Sequence, residues 1–321
     1  IRRMLITRAD TARRFGGVLS VAAACGFSFA NISASSSIAE GMKVADSSYL
    51  TQLLVQYQLQ SWRNYISVNH MTDPARKNII AIASGKGGVG KTWLAITLAH
   101  LIARAGRQVL LFDGDIGLAN VDVQLGLTPP RDLSSVINGR NTLKEAVIHF
   151  AEGGFDIIAG RSGSASLATL PIEKLKTLAD ELAGLQKHYD HIIIDLGAGI
   201  ERHVQYLATL AGQCVVVVTD EPTSLTDAYA FIKINQQQPN PPQIGIVVNQ
   251  AATQKEGEGT YSALNKACMN FLHFSPPLLG IIRRDNKVKD TIRNQKSLLV
   301  RAPHSTAATD AAALSIKLMQ R

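Results

Sequence analysis

Cysteine is scarce in this chain: three residues in 321, at Cys25, Cys214 and Cys268, with no Cys-x-x-Cys pair. An odd, widely spaced set supplies neither a disulfide framework nor a thiolate metal site, and it fits a reducing compartment. Membrane-length apolar runs are also lacking. The mostly apolar stretch at 18–30 has 13 residues and is too short to cross a bilayer as a helix. No internal repeat, low-complexity tract, Ser-His-Asp or Cys-His constellation stands in the sequence. A large excess of one charge is absent too. Lys and Arg total 33 against 25 Asp and Glu, a net charge of +8, of which residues 1–70 carry +4. The rest of the chain is so mildly basic that its charge alone does not argue for a nucleic-acid partner. What remains is an ordinary globular composition, 46% hydrophobic and 18% charged, long enough for one large or two small domains.

Against this plain background one segment stands out: Gly85-Lys86-Gly87-Gly88-Val89-Gly90-Lys91-Thr92. It follows an apolar run, 79–84, and precedes a helical pattern that begins at Trp93. A buried strand, a glycine loop and a helix N-terminus in that order form a phosphate-binding loop. Glycines admit positive φ and let backbone N–H groups approach phosphate oxygens. The helix that follows aims its free N–H groups and positive dipole end at the same anion. Lys91 is placed to reach the β- and γ-phosphates, and the Thr92 hydroxyl to bind Mg²⁺. The residues from Gly85 to Trp93 are therefore the expected nucleotide contacts. Lys86 is a second lysine that an ordinary phosphate loop does not require.

From position 79 onward, short β-rich runs alternate with helical patterns. Strands are predicted at 79–84, 108–113, 155–159, 191–195, 214–219, 243–249 and 278–282. Helices are predicted at 93–105, 172–187, 202–211, 224–235, 259–272 and 286–294. Continuous apolar strands belong to a sheet covered on both faces, and strict alternation with helices gives a doubly wound, mostly parallel α/β fold. Ligands bind such sheets at the carboxyl ends of the strands. Residues 235–242, rich in glutamine and proline, read as a surface loop.

The first seventy residues read differently. Arg13 and Arg14 precede the apolar stretch at 18–30, and small residues follow at 31–37. The pattern is that of a secretory signal peptide. It conflicts with the phosphate loop, because an exported ATP-dependent protein would be starved of ATP. Residues 1–70 are expected to be an extension, poorly structured or upstream of a start near Met71. An accessory segment at 49–65, helical in pattern, is the alternative. Residues 71–321 are expected to form one domain.

Lys86-Gly87-Gly88-Val89-Gly90-Lys91-Thr92 resembles the deviant Walker A motif of the MinD/ParA ATPases. The resemblance implies a P-loop ATPase in which Lys86 crosses a homodimer interface to the partner's nucleotide. The cysteine pattern speaks against the iron–sulfur carriers and reductases that share this fold. Two carboxylates end the second predicted strand, in Asp113-Gly114-Asp115-Ile116-Gly117-Leu118-Ala119-Asn120-Val121-Asp122. In isolation an Asp-x-Asp is as readily a solvated acidic turn. Its spacing from the loop and its trailing residues match the family's switch I. The resemblance implies that Asp115 orients or activates the attacking water, Asp113 supports the water shell of Mg²⁺, and Asn120 helps position the nucleophile. Ile192-Ile193-Ile194-Asp195 reads as a Walker B strand, with Asp195 holding Mg²⁺ through water. The metal-binding expectation is thus Thr92, Asp113 and Asp195. The catalytic one is Lys86, Lys91, Asp115 and Asn120. Asn249, at a strand end, can pair with adenine. Family members commonly have proline where Arg283 stands, and Arg283 is expected to stack on the base instead.

Asp220-Glu221-Pro222-Thr223-Ser224-Leu225-Thr226-Asp227-Ala228-Tyr229-Ala230-Phe231-Ile232-Lys233 is similar to the flagellar-number regulators of the MinD group, FlhG or FleN. That resemblance implies a switch: ATP and Mg²⁺ bring two subunits together, slow hydrolysis separates them, and flagellar assembly or regulatory proteins read the state. Two other readings stand beside it, a ParA-type partitioning ATPase that binds DNA nonspecifically and a MinD-type division-site regulator. Relatives often end in a helix that anchors on the inner membrane. Here Leu314, Leu318 and Met319 form only a short apolar stripe, expected to pack on the sheet.

Overall fold

The computed structural model describes residues 2–6, 27–33, 42–44, 78–115, 120–160 and 171–320. The chain divides into two compact units, Ile1–Thr72 and Asp73–Arg321. In the first, within the segment expected to be poorly structured, stand three short strands, β1 (Arg2–Ile6), β2 (Phe27–Ser33) and β3 (Met42–Val44). They form a sheet in that order, with β1 parallel to β2 and β2 antiparallel to β3. The helical pattern at 49–65 lies outside the described residues.

The second unit carries eight strands: β4 (Ile79–Ser84), β5 (Val109–Gly114), β6 (Ile148–Phe150), β7 (Phe155–Ile158), β8 (His191–Ala198), β9 (Gln213–Val218), β10 (Gln243–Ala251) and β11 (Leu278–Arg283). Their order is β11-β10-β9-β4-β8-β5-β7-β6. Every pair is parallel except β6 with β7. β6 was not anticipated, because Ile148-His149-Phe150 is too short to show a period and exposes its central residue. All six residues of β4, β5 and β9 are buried, as a sheet covered on both faces requires.

Helices α1 (Lys91–Arg104), α2 (Val121–Leu125), α3 (Leu133–Ile137), α4 (Ile172–Leu185), α5 (Arg202–Thr209), α6 (Pro222–Gln236), α7 (Gln254–Leu272), α8 (Asn286–Arg293), α9 (Leu298–Arg301) and α10 (Thr306–Met319) connect and cover the strands. Leu94, Leu98 and Ile102 of α1 are fully buried at helical spacing. They share one core with Ile80, Ile82, Leu111, Ile193 and Val215 from the sheet and with Ala311, Leu314 and Leu318 from α10. Truncating a residue such as Leu98 to alanine costs about 2–5 kcal/mol in a core of this kind. The last helix therefore packs on the sheet, with Lys317 Nζ donating to the Leu279 carbonyl at 2.9 Å. No helix among the described residues is long and apolar enough to cross a membrane. The loop expected at 235–242 begins later than predicted. α6 runs to Gln236, and Asn235 is buried, its Nδ2 donating to the Phe231 carbonyl at 2.9 Å.

Candidate functional site

β4 delivers the chain into the glycine loop, and α1 begins at Lys91. Gly90, between them, has φ 94°. A side chain there would be strained, and its Cβ would come within 2.4 Å of Asn249 Nδ2. Lys91 is buried and donates from Nζ to Ser84 Oγ at 2.8 Å. Ser84 Oγ in turn donates to the Lys86 carbonyl at 2.6 Å. Burial lowers the Lys91 pKa, while the nearby Asp195 and Asp115 carboxylates act in the opposite direction. Thr92 is half-buried and forms a side-chain hydrogen bond with Asp195. The Trp93 side chain turns away into the core, where Nε1 has no hydrogen-bond partner.

The sheet register places Asp113 of β5 directly beside Asp195 of β8. Both carboxylates are buried, at 0% and 1% exposure. Burial, and then the charge of Asp195, push Asp113 up to about 8. Burial also pushes Asp195 up to about 7, with Thr92 and Lys91 pulling the other way. Asp113 spends its oxygens on backbone donors. Oδ2 accepts from the Asn120 and Val121 N–H groups, each at 3.2 Å, and Oδ1 from Asp115 N–H at 3.3 Å. It pins the start of α2, a role not expected from the sequence. Asp195 Oδ1, by contrast, is buried without a hydrogen-bond partner.

These residues fit a magnesium ion. Of the two adjacent buried carboxylates, only Asp195 feels the buried Lys91 cation, so a second cation is favoured beside the pair. Asp195 offers a free oxygen and Thr92 a hydroxyl, both hard donors. Among the described residues no group of three His, Cys, Asp or Glu side chains is arranged as a metal cage. Mg²⁺ does not need one, since it binds through one or two carboxylates, waters and substrate phosphates.

Asp115 lies against β8. A Cβ on Gly197 would fall 3.2 Å from its Oδ1. His203, near the start of α5, was missed in the sequence. Its pKa is lowered by burial, against the pull of Glu201 and Asp115. A single histidine eight residues past a strand acid carries no sequence signal. Residues 116–119, in the segment expected to be switch I, lie outside the described residues, and Asn120 is exposed at the start of α2.

Lys86 points away from this cluster. Its Nζ contacts the Glu221 carboxylate and donates to Thr223 Oγ1 at 2.9 Å. Asn249 is buried at the end of β10, where Nδ2 donates to the Val89 carbonyl at 2.7 Å and Oδ1 accepts from Gln250 N–H at 2.9 Å. It ties β10 to the phosphate loop. Arg283 is clasped by Asp310 of α10. Its backbone N–H and Nε donate to Oδ2 at 2.9 and 3.0 Å, and a terminal nitrogen donates to Oδ1 at 2.7 Å. Proline has no N–H and could not make the first of these bonds. The fork is held in plane at its edge, so the expected stacking role rests on the faces alone.

The profile of the CobQ/CobB/MinD/ParA nucleotide binding domain matches residues 80–298. The chain is similar to the antiactivator FleN of Pseudomonas aeruginosa, 36% identical over 230 residues, which cover 72% of this chain and 82% of FleN. It is equally similar to the flagellum site-determining protein YlxH of Helicobacter pylori, 36% identical over 231 residues, covering 70% and 76%. Among solved structures, the cell division ATPase MinD of Pyrococcus furiosus superimposes with a TM-score of 0.65 at 23% identity, over 76% of this chain and 99% of that one. The profile runs from β4, through every motif-bearing strand, to the start of α9, and the chain belongs to the MinD/ParA family of P-loop ATPases.

Proposed function

We propose that this ATPase is a dimerisation switch that controls flagellar number or placement. The observation that carries the switch is the separation of its two loop lysines. Lys91 is buried among the acids of its own subunit, whereas Lys86 of the same loop stands at the surface, 37% exposed. One cation serves the phosphates from inside. The other is available to a second subunit's phosphates, which would otherwise repel. The similarity to FleN and YlxH supports the flagellar assignment.

In this reading Lys91 and the loop amides hold the β- and γ-phosphates of ATP. Thr92 and Asp195 would hold Mg²⁺, and Asp113 would support its bound water. When bound, the ion neutralises charge on the phosphate oxygens. Asp115 takes up or orients the proton of a water that attacks the γ-phosphorus. Asn120 helps place that water. The bond from the γ-phosphorus to the bridging oxygen breaks, and ADP and phosphate leave. The protein supplies mainly position and charge, and turnover is slow because hydrolysis is a timer.

A second reading, nonspecific DNA binding, draws on α8 and its flanks, where Arg284, Lys287, Lys289 and Arg293 are exposed. Steep salt dependence of binding to random DNA would favour it. The switch itself is tested by light scattering on Asp115→Ala with ATP, with and without Lys86→Ala. ATP should produce dimers, ADP should not, and the Lys86 change should abolish them. A dimer that survives loss of Lys86 sinks the reading.

A further inference from the structure

A cavity lies apart from the phosphate loop, between α3, the turn that follows it and α4. Its volume is 410 Å³, within the range of small-molecule sites. Val136, Ile137 and Leu178, all buried, give it an apolar floor. Two bases, Arg140 and Lys174, and two acids, Glu145 and Glu181, line it as well. Lys174, Leu178 and Glu181 stand on one face of α4, at helical spacing. None of these residues belongs to the phosphate loop or to the acid pair behind it.

What sets this cavity apart is the state of its four charges. Among the described residues no ion pair joins either base to either acid. The backbone holds three of the four in place instead. Lys174 Nζ donates to the Ile137 carbonyl at 2.9 Å. Glu181 Oε2 accepts from Leu143 N–H at 2.6 Å, and Glu145 Oε2 from Thr142 N–H at 2.8 Å. That backbone bond, with the Thr142 hydroxyl, holds the Glu145 carboxyl below its usual range, so it is ionised at neutral pH. These bonds leave Lys174 two N–H donors and Glu181 a second oxygen. Lys174 and Glu181 lie two turns apart, about 10 Å along the axis of α4. The cavity therefore has a basic end and an acidic end with Leu178 between them, and a ligand need break no ion pair to enter.

We propose that this cavity binds a small zwitterion of the amino-acid class, one that carries an ammonium group, a carboxylate and an apolar body. The carboxylate meets Lys174 and Arg140, the ammonium meets Glu181 and Glu145, and the apolar body lies on Val136, Ile137 and Leu178. Hydrogen bonds between charged partners are the strong ones, and here both signs are on offer. A ligand of one sign would face two like charges in the same cavity. The chemistry has two sources, a free amino acid and a short peptide. A dipeptide sets its charges farther apart and reaches towards both ends of the cavity. A single amino acid requires the four side chains to lean inward.

The test is calorimetric titration of the full chain with L-leucine and with the dipeptide Leu-Leu. Two analogues stand against them: isocaproate, which lacks the ammonium of leucine, and leucinamide, which lacks its carboxylate. At least one zwitterion should give saturable heat, and both analogues should bind about tenfold more weakly or not at all. Tighter binding of leucine assigns the cavity to a free amino acid, and tighter binding of Leu-Leu to a peptide. Glu181→Gln keeps an oxygen for Leu143 N–H while removing the charge. It should weaken the zwitterion about tenfold and spare isocaproate. Arg140→Gln should weaken the zwitterion and spare leucinamide. No saturable heat from either zwitterion overturns the proposal, as does an analogue that binds as tightly as leucine. Zwitterion binding that neither substitution changes places the ligand elsewhere and overturns it too. The comparison of analogues in the parent decides the need for both charges even where a variant fails to fold.

Discussion

The two ends of the expected nucleotide site are built on different plans. At the phosphate end the chemistry is concentrated. Eight consecutive residues make the loop, and the two acids behind it are neighbours in the sheet register, Asp113 beside Asp195. At the end expected to receive the base, the parts come from separate elements. Asn249 lies near the end of β10, Arg283 closes β11, and Asp310, which holds Arg283, lies on α10. The first plan relies on backbone amides and buried charge and tolerates little change. The second relies on side chains steadied by other side chains and tolerates more.

The largest effect should come from removing Lys91, the one buried cation among the described residues. Lys91→Ala leaves Asp195 and Asp115 without that cation where a polyanion is expected to bind, and titration with ATP should show at least about a hundredfold loss of affinity. Lys86→Ala, in the same loop, should bind ATP within about twofold of the parent. Equal losses for the two lysines would erase the distinction between buried and exposed charge.

Asp115 separates binding from chemistry. Its carboxylate lies beside Gly197 and is no part of the Asp113–Asp195 pair in the register. Asp115→Ala should keep ATP affinity and lose about a hundredfold in phosphate release, the usual contribution of a positioned general base. A variant that hydrolyses ATP at the parent rate would remove Asp115 from the mechanism.

Asn249 joins the two ends, and its loss should be intermediate. In Asn249→Ala the Val89 carbonyl loses its donor, a cost of about 1–3 kcal/mol. That corresponds to roughly tenfold weaker ATP binding if the tether shapes the loop. Asp310→Ala should cost less. It frees the Arg283 fork and one backbone N–H, so melting temperature should fall by a few degrees while ATP affinity moves less than about threefold. A larger loss of affinity in Asp310→Ala than in Asn249→Ala would reverse the ranking of the two side chains.

The same contrast explains what could be read in the sequence. Strands buried on both faces are continuous apolar runs, so β4, β9, β10 and β11 were legible to within a residue or two at each end. β8 was placed but continues three residues beyond the predicted end, because Leu196-Gly197-Ala198 carries no strand signature. α2, α3 and α9 have four or five residues and too few turns to show a period. The phosphate loop is legible because glycines, lysine and threonine act through local spacing. The clasp of Arg283 by Asp310 and the hold of Glu221 on Lys86 span 27 and 135 residues, and no local pattern encodes them. Proline's absence at 283 was visible; the reason for it, an N–H that Asp310 uses, was not.

The smallest effect lies at His100, on the helix that carries the phosphate loop but away from either end. Its Nδ1 is 2.8 Å from Ser297 Oγ, and both side chains are buried. Burial chiefly, with the charge of Arg104, lowers its pKa from 6.5 to about 4, against a weaker pull from Glu152. Between those pH values the unfolded chain takes a proton that the folded one refuses. The unfolded state then binds more protons, so this stability is complete above pH 6.5 and is lost as pH falls towards 4. Asp113 and Asp195, raised to about 8 and 7, act in the opposite sense and favour the folded state at low pH in the absence of metal. The total curve mixes the two. The difference between parent and His100→Gln isolates the histidine, because the carboxylates are common to both. Urea titrations at pH 7.5 and 5 should show the parent losing stability relative to His100→Gln at the lower pH, while ATP affinity of the variant at pH 7.5 stays within about twofold of the parent. A parent-minus-variant difference that does not change with pH would mean that His100 binds its proton equally in the folded and unfolded states, so that burial leaves its pKa unshifted.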